Sequence, residues 1–92
     1  METKVTVICQ KSDDELKRLK AKNVVEIVEA AQKSKSKCSV TRNGKTVEAT
    51  SILFLMSLGL RNGDVVTIKC DDEDCVNKIC EVLIENEIQS RR

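Results

Sequence analysis

The chain predicts an α+β domain, a four-stranded antiparallel sheet covered on one face by three helices in the order β-α-β-β-α-β-α. Three observations carry this reading. Apolar residues alternate with polar ones in four short stretches, the period-2 signature of half-buried strands. Two other stretches repeat apolar residues at i, i+3, i+4 and i+7, which gives a helix one buried stripe. Turn-forming residues, Asn43-Gly44 above all, punctuate the strand-like runs.

Val5, Val7 and Cys9 alternate with Thr6 and Ile8 as a first strand. Gln10 to Glu15 is polar and acidic, hence a loop, and Leu16–Lys22 is a basic loop or a frayed helical turn. From Asn23 the residues Val24, Ile27, Val28 and Ala31 trace an amphipathic helix, with Asn23 as N-cap and Glu26 completing a capping-box-like pair. Cys38 and Val40 begin a second strand, and Asn43-Gly44 tolerates the positive φ of a type I′ turn. Val47 and Ala49 follow on a third strand. Ser51 is a natural N-cap for a short helix over Ile52–Ser57, with Gly59 as its stop. Asn62-Gly63-Asp64 turns the chain into a fourth strand carrying Val66, Ile68 and Cys70. Asp71 to Asp74 places acid at the start of a last helix, where the helix dipole favours it, and Val76, Ile79, Cys80 and Leu83 form that helix's apolar face.

A chain of 92 residues with 40% hydrophobic content reads as one domain, residues 1–92, with an aliphatic core, because Phe54 is its sole aromatic ring. Net charge is +1, which supplies no global field for nucleic acid or membrane, and no aromatic platform exists for stacking bases. No stretch approaches the ~20 apolar residues of a membrane span. The start of the chain lacks the apolar run of a signal peptide, so a cytoplasmic location is expected.

Five cysteines, Cys9, Cys38, Cys70, Cys75 and Cys80, form no C-x-x-C pair and have no histidine beside them. The expectation is free buried thiols rather than disulfides, and no metal or other cofactor. Cys75 and Cys80 diverge by about 140° around a helix, and a thiolate site needs about four converging ligands.

The run from Asn43-Gly44-Lys45, through Ser51 opening a short helix, to Leu58-Gly59 and Gly63 before the last strand resembles the HPr phosphocarrier family of bacterial sugar uptake. The likeness extends without gaps from about Lys20 to Leu83. It implies the HPr-like open-faced β-sandwich. The family's phosphorylated histidine stands in a motif similar to G-[LI]-H-A-R-P-A; the corresponding run here is Arg18-Leu19-Lys20-Ala21-Lys22-Asn23-Val24. Lys20 then occupies the histidine's place, and the loop before it is longer than the family's. Relay at neutral pH needs an imidazole, whereas a lysine ammonium is a poor nucleophile unless desolvated. With no histidine in the chain, the resemblance implies a non-catalytic member, not an enzyme.

The same resemblance makes Ser51 a candidate for regulatory phosphorylation, although a helix cap alone accounts for a serine there. Five successive apolar residues, Ile52 to Met56, sweep the whole circumference of a helix, so some must face away from the core. In the family this helix and the start of the first dock enzyme I, permeases, a serine kinase and a transcriptional regulator. Ile52, Leu53, Phe54 and Met56, rimmed by Lys17, Arg18, Lys20 and Lys22, are therefore the expected partner-binding residues. The function expected is that of a regulatory protein-binding module related to the sugar phosphotransferase system. The alternative is an interaction protein unrelated to sugar transport, such as a homodimer through Ile52–Met56.

Overall fold

The hairpin Ser39–Arg42 to Lys45–Glu48 (β2 and β3) turns through Asn43 and Gly44, at φ 51° and 79°. Both residues sit in the left-handed region that a two-residue type I′ turn requires, and asparagine and glycine are the residues that adopt it cheaply. The protein is described by a computed structural model over residues 2–8 and 18–84. Glu2–Thr6 (β1) pairs antiparallel with Val65–Lys69 (β4), β4 with β2, and β2 with β3, so the sheet order is β1-β4-β2-β3.

Register decides which face is wet. Thr3, Ile68, Val40 and Val47 form one row across the four strands, with Val5 and Val66 in the next. All of these except Thr3 are buried. The opposite face carries Lys4, Thr67, Thr41 and Thr46 in a row, closed by a 2.7 Å hydroxyl contact between Thr41 and Thr46. One sheet face is thus polar and open, and the other is the floor of the core.

Helices Ala21–Lys33 (α1) and Glu73–Leu83 (α3) pack on that floor and on each other. α1 buries Val24, Ile27, Val28 and Ala31, the stripe its periodicity predicts. α3 buries Cys75, Val76, Ile79, Val82 and Leu83. Each fully buried aliphatic side chain contributes about 1.5–3 kcal/mol, and packing of such stripes, more than helix propensity, holds the layers together. Asp72 caps α3, its Oδ1 accepting the Asp74 and Cys75 N–H groups at 3.1 and 3.3 Å. The third helix, Ile52–Ser57 (α2), lies against α1 and β3.

The start of α1 differs from expectation. Its N-cap is Lys20, in extended backbone and without a side-chain cap, and Asn23 lies inside the first turn. Lys20 O accepts the Asn23 and Val24 N–H groups at 2.9 and 3.1 Å. Cys9, the loop over residues 10–15 and Lys17 lie outside the described residues. No helix among the described residues is long and apolar enough to cross a membrane.

Candidate functional site

α2 is only six residues long, and its ends are held by short-range bonds. Ser51 Oγ accepts the Phe54 N–H at 3.2 Å, and the Ser57 hydroxyl donates to the Phe54 carbonyl at 2.6 Å. Ser51 therefore caps the helix as expected, and it is half-buried. Leu55 alone of the helix enters the core, at 2% exposure. Ile52, Leu53, Phe54 and Met56 stand 46%, 75%, 52% and 45% exposed. They are half of the eight large apolar side chains exposed among the described residues, gathered on one and a half turns. Such clustering distinguishes a patch from the isolated exposed leucines that need no explanation.

Leu53, Phe54 and Met56 also form one wall of an open groove whose other wall is β3. β3 is an edge strand, so the groove runs beside unpaired backbone. Lys45 Nζ lies 3.4 Å from Ser57 Oγ and puts a cation at the groove's margin. The sequence reading missed Lys45 as a rim residue; its place in the hairpin, directly after Gly44, was the available signal.

Arg42 fixes how α2 sits. Its side chain donates from an Nη to the Leu58 carbonyl at the end of α2, at 2.8 Å. Its Nε lies 3.0 Å from Asp64 Oδ2, an ion-pair contact without the alignment of a hydrogen bond. Asp64 Oδ2 in turn accepts the Arg61 N–H at 2.9 Å. One guanidinium thereby ties the end of β2, the end of α2 and the turn before β4 together.

The start of α1 is fastened to the connection leaving α2. Leu19 N–H donates to the Leu60 carbonyl at 2.8 Å, and Arg18 bridges Arg61. Lys20 and Lys22 are exposed there. The expected docking residues thus fall into two groups: Ile52, Leu53, Phe54 and Met56 together on α2, and Lys20 with Lys22 at the other end of that helix from Ser51. Lys17 lies outside the described residues.

A second grouping contradicts the sequence reading. Cys38 and Cys70, expected as free thiols, are joined as a disulfide, with Cα atoms 4.5 Å apart. They lie one residue beyond the paired Ser39 and Lys69, so the pairing of β2 with β4 brings them face to face. Cys75 Sγ, from the first turn of α3, is 3.3 Å from Cys38 Sγ. Cys75 and Cys80 do diverge: Cys75 is buried among the sulfurs, and Cys80 is only partly buried at the edge of the core. Burial pushes both thiols up, and the neighbouring Asp72 carboxylate adds to the effect at Cys75. Asp72 itself is held below the ordinary carboxylate range, first by the Cys75 N–H and then by the Ser34 hydroxyl.

The model of the family described as the PTS HPr component phosphorylation site matches residues 16–85. The phosphocarrier protein HPr of Buchnera aphidicola is 34% identical over 56 residues, a match spanning 61% of this chain and 66% of that protein, just under two-thirds of its length. Among solved structures, HPr-C-His from Thermoanaerobacter tengcongensis covers 90% of both chains at 26% identity, with a TM-score of 0.75. The Bacillus subtilis catabolite repression protein Crh, solved as an intertwined, domain-swapped dimer, covers 80% of this chain and 90% of its own at 31% identity, with a TM-score of 0.63. Since the family model accounts for well over half of the residues, and the sheet and helices take the fold of the solved HPr proteins, this chain belongs to the HPr family of the phosphotransferase system.

Proposed function

We propose that this chain is a non-relaying HPr-family protein, a regulatory protein-binding module that docks partners through the exposed face of α2 and is switched by phosphorylation of Ser51. The observation that carries the reading is the exposure of Ile52, Leu53, Phe54 and Met56 together, directly after Ser51, on a helix that contributes only Leu55 to the core. Aromatic and methionine side chains are favoured at the centre of interfaces, with charge at the rim. Lys45, Lys20 and Lys22 supply cations around this helix, suited to an acidic partner surface. Lys20 takes the place of the family's phosphorylated histidine, and the chain holds no histidine anywhere to serve instead. A solvent-exposed lysine at the cap of α1 does not perform that relay.

A phosphoryl group on Ser51 would add about two negative charges at the base of the apolar patch and would alter which partners dock. The test is intact mass after incubation with an HPr serine kinase and ATP. One added phosphoryl group, absent in Ser51→Ala, is the expected result. Phe54→Asp should slow that phosphorylation, because the kinase must dock on α2 to reach Ser51. An unmodified wild-type chain, or a Phe54→Asp variant modified as fast as wild type, would refute the switch and its docking surface respectively.

One observation favours a second reading. The similar Crh protein forms a domain-swapped dimer, and here an exposed edge strand lies beside an exposed apolar helix. A homodimer through Ile52–Met56 and β3 would cover both. Sedimentation that stays at monomer mass across a hundredfold range of concentration would rule it out.

A further inference from the structure

The docking face leaves unused the densest collection of metal-binding atoms in the described residues. Cys38, Cys70 and Cys75 are all buried, and their three Sγ atoms lie within 4.8 Å of one another. They come from three places: the residue before β2, the residue after β4 and the first turn of α3. A fourth atom completes the set. Ser34 Oγ, just past the end of α1, stands 3.8 Å from Cys38 Sγ and 3.9 Å from Cys70 Sγ.

The two separations from Ser34 Oγ lie close to what a tetrahedral ion demands, and the sulfurs sit closer together than it would hold them. Zinc binds thiolate sulfur at ~2.3 Å and oxygen at ~2.0–2.2 Å, which sets sulfur–sulfur edges near 3.8 Å and sulfur–oxygen edges near 3.6 Å. The Ser34 hydroxyl is within a few tenths of an ångström of its vertex already. Cys75 needs to draw about 0.5 Å away from Cys38, and Cys70 must part from Cys38 once their bond is opened. Both are side-chain adjustments, since every Cα is anchored beside a strand end or a capped helix.

We propose that, in its reduced form, the chain holds a thiophilic d10 cation, Zn2+ foremost, on the thiolates of Cys38, Cys70 and Cys75, with oxygen at the Ser34 position as fourth ligand. A dithiol or phosphine reductant opens the bridge: it delivers two electrons and is itself oxidised, while Cys38 and Cys70 each gain a proton. Binding then moves no electrons. Three S–H bonds break, three metal–sulfur bonds form, and three protons leave to solvent. Soft thiolate ligands select zinc or Cu(I) over the hard cations, which take carboxylate and carbonyl oxygen. The cluster lies just beneath the surface, since Cys38 and Cys70 line one surface groove and Cys75 and Ser34 line another. The sequence reading expects no metal because no spacing in the chain displays such a set; it arises only when β2 pairs with β4 and α3 folds over the sheet edge.

The test uses the full chain, reduced with a phosphine and freed of metal by a chelator, then titrated anaerobically with Zn2+ and, separately, Co2+. One equivalent of Zn2+ should remain bound in native mass spectra, with the protein lighter by the protons released. The near-ultraviolet thiolate-to-cobalt charge-transfer band should have the intensity of three thiolates. Cys75→Ser should weaken zinc binding by at least about a hundredfold, the upper end of what losing an outer-shell partner costs. Cys9→Ser and Cys80→Ser should bind as wild type. No stoichiometric zinc, a two-thiolate cobalt spectrum, or binding that survives Cys75→Ser would overturn the site. If Cys75→Ser does not fold, the cobalt band of the wild-type protein decides alone, because it counts thiolates directly.

Discussion

Replacing Arg42 with methionine keeps an unbranched apolar stem and removes the guanidinium that ties β2 to the end of α2. The magnitude follows from its two contacts. A hydrogen bond from a charged donor to the Leu58 carbonyl is worth about 1.5–3 kcal/mol. The contact with Asp64 joins side chains that are 22% and 18% exposed, so solvent screens it and about 0.5–1 kcal/mol is appropriate. Part of the sum is recovered by water reaching Leu58 O and by Asp64, which keeps the Arg61 N–H. The expected loss is about 2–3 kcal/mol, or roughly 10–20 °C in Tm for a domain of this size. Urea unfolding of wild type, Arg42→Met and Arg42→Lys measures it. Lysine should recover less than half, because a single ammonium cannot span both the carbonyl and the carboxylate as a planar fork does. A loss below about 0.5 kcal/mol, or full rescue by lysine, would refute the claim that this residue anchors α2.

Three other outcomes follow from the packing. Ile79, with no exposed surface at the centre of α3, should cost about 2–5 kcal/mol on substitution by alanine, read as a fall in urea midpoint at constant slope; a loss under 1 kcal/mol would place it outside the core. In the absence of metal, reducing the Cys38–Cys70 bridge releases a cross-link between positions 32 apart, which the chain-entropy treatment puts at about 3–4 kcal/mol; equal midpoints with and without reductant would contradict it. The Asp72 carboxyl is held below its ordinary range by the Cys75 N–H, so its stabilisation is present above the unfolded carboxylate pKa of ~3.9 and is lost as pH falls through the lower folded value. The advantage of wild type over Asp72→Asn should therefore be level above about pH 4 and shrink below it, and an NMR titration of Asp72 with a midpoint at or above the ordinary value would refute the cap.

Strands, turns and buried stripes were legible because their signals are local. Alternation placed Val40, Val66 and Ile68 on the core face, Asn43-Gly44 displayed its turn in two residues, and Ser51 announced α2 by type and position. The start of α1 was misread because no side chain sets it. Asn23 is the better cap by residue type, but the Leu19–Leu60 backbone bond and the Arg18–Arg61 bridge lead the chain into the helix at Lys20 instead. Exposure of the α2 face was half legible: five apolar residues in a row cannot all be buried, yet only the structure shows that Leu55 is the one that is. The thiol cluster could not be read at all. Cys38 and Cys70 are distant in sequence, and their contact depends on β2 pairing with β4 across the sheet rather than on any spacing. Arg42 carries no signal in the sequence, since its partners lie on two other segments.

The central claim is that this HPr-family fold keeps a docking helix and does not relay phosphoryl groups through a residue of its own. Intact mass after incubation with bacterial enzyme I and phosphoenolpyruvate, with an authentic histidine-bearing HPr as the positive control in the same mixture, tests it most directly. The account predicts a chain of unchanged mass while the control gains one phosphoryl group. A phosphoryl group on the wild-type chain, whether or not it is lost in Lys20→Ala, would contradict it.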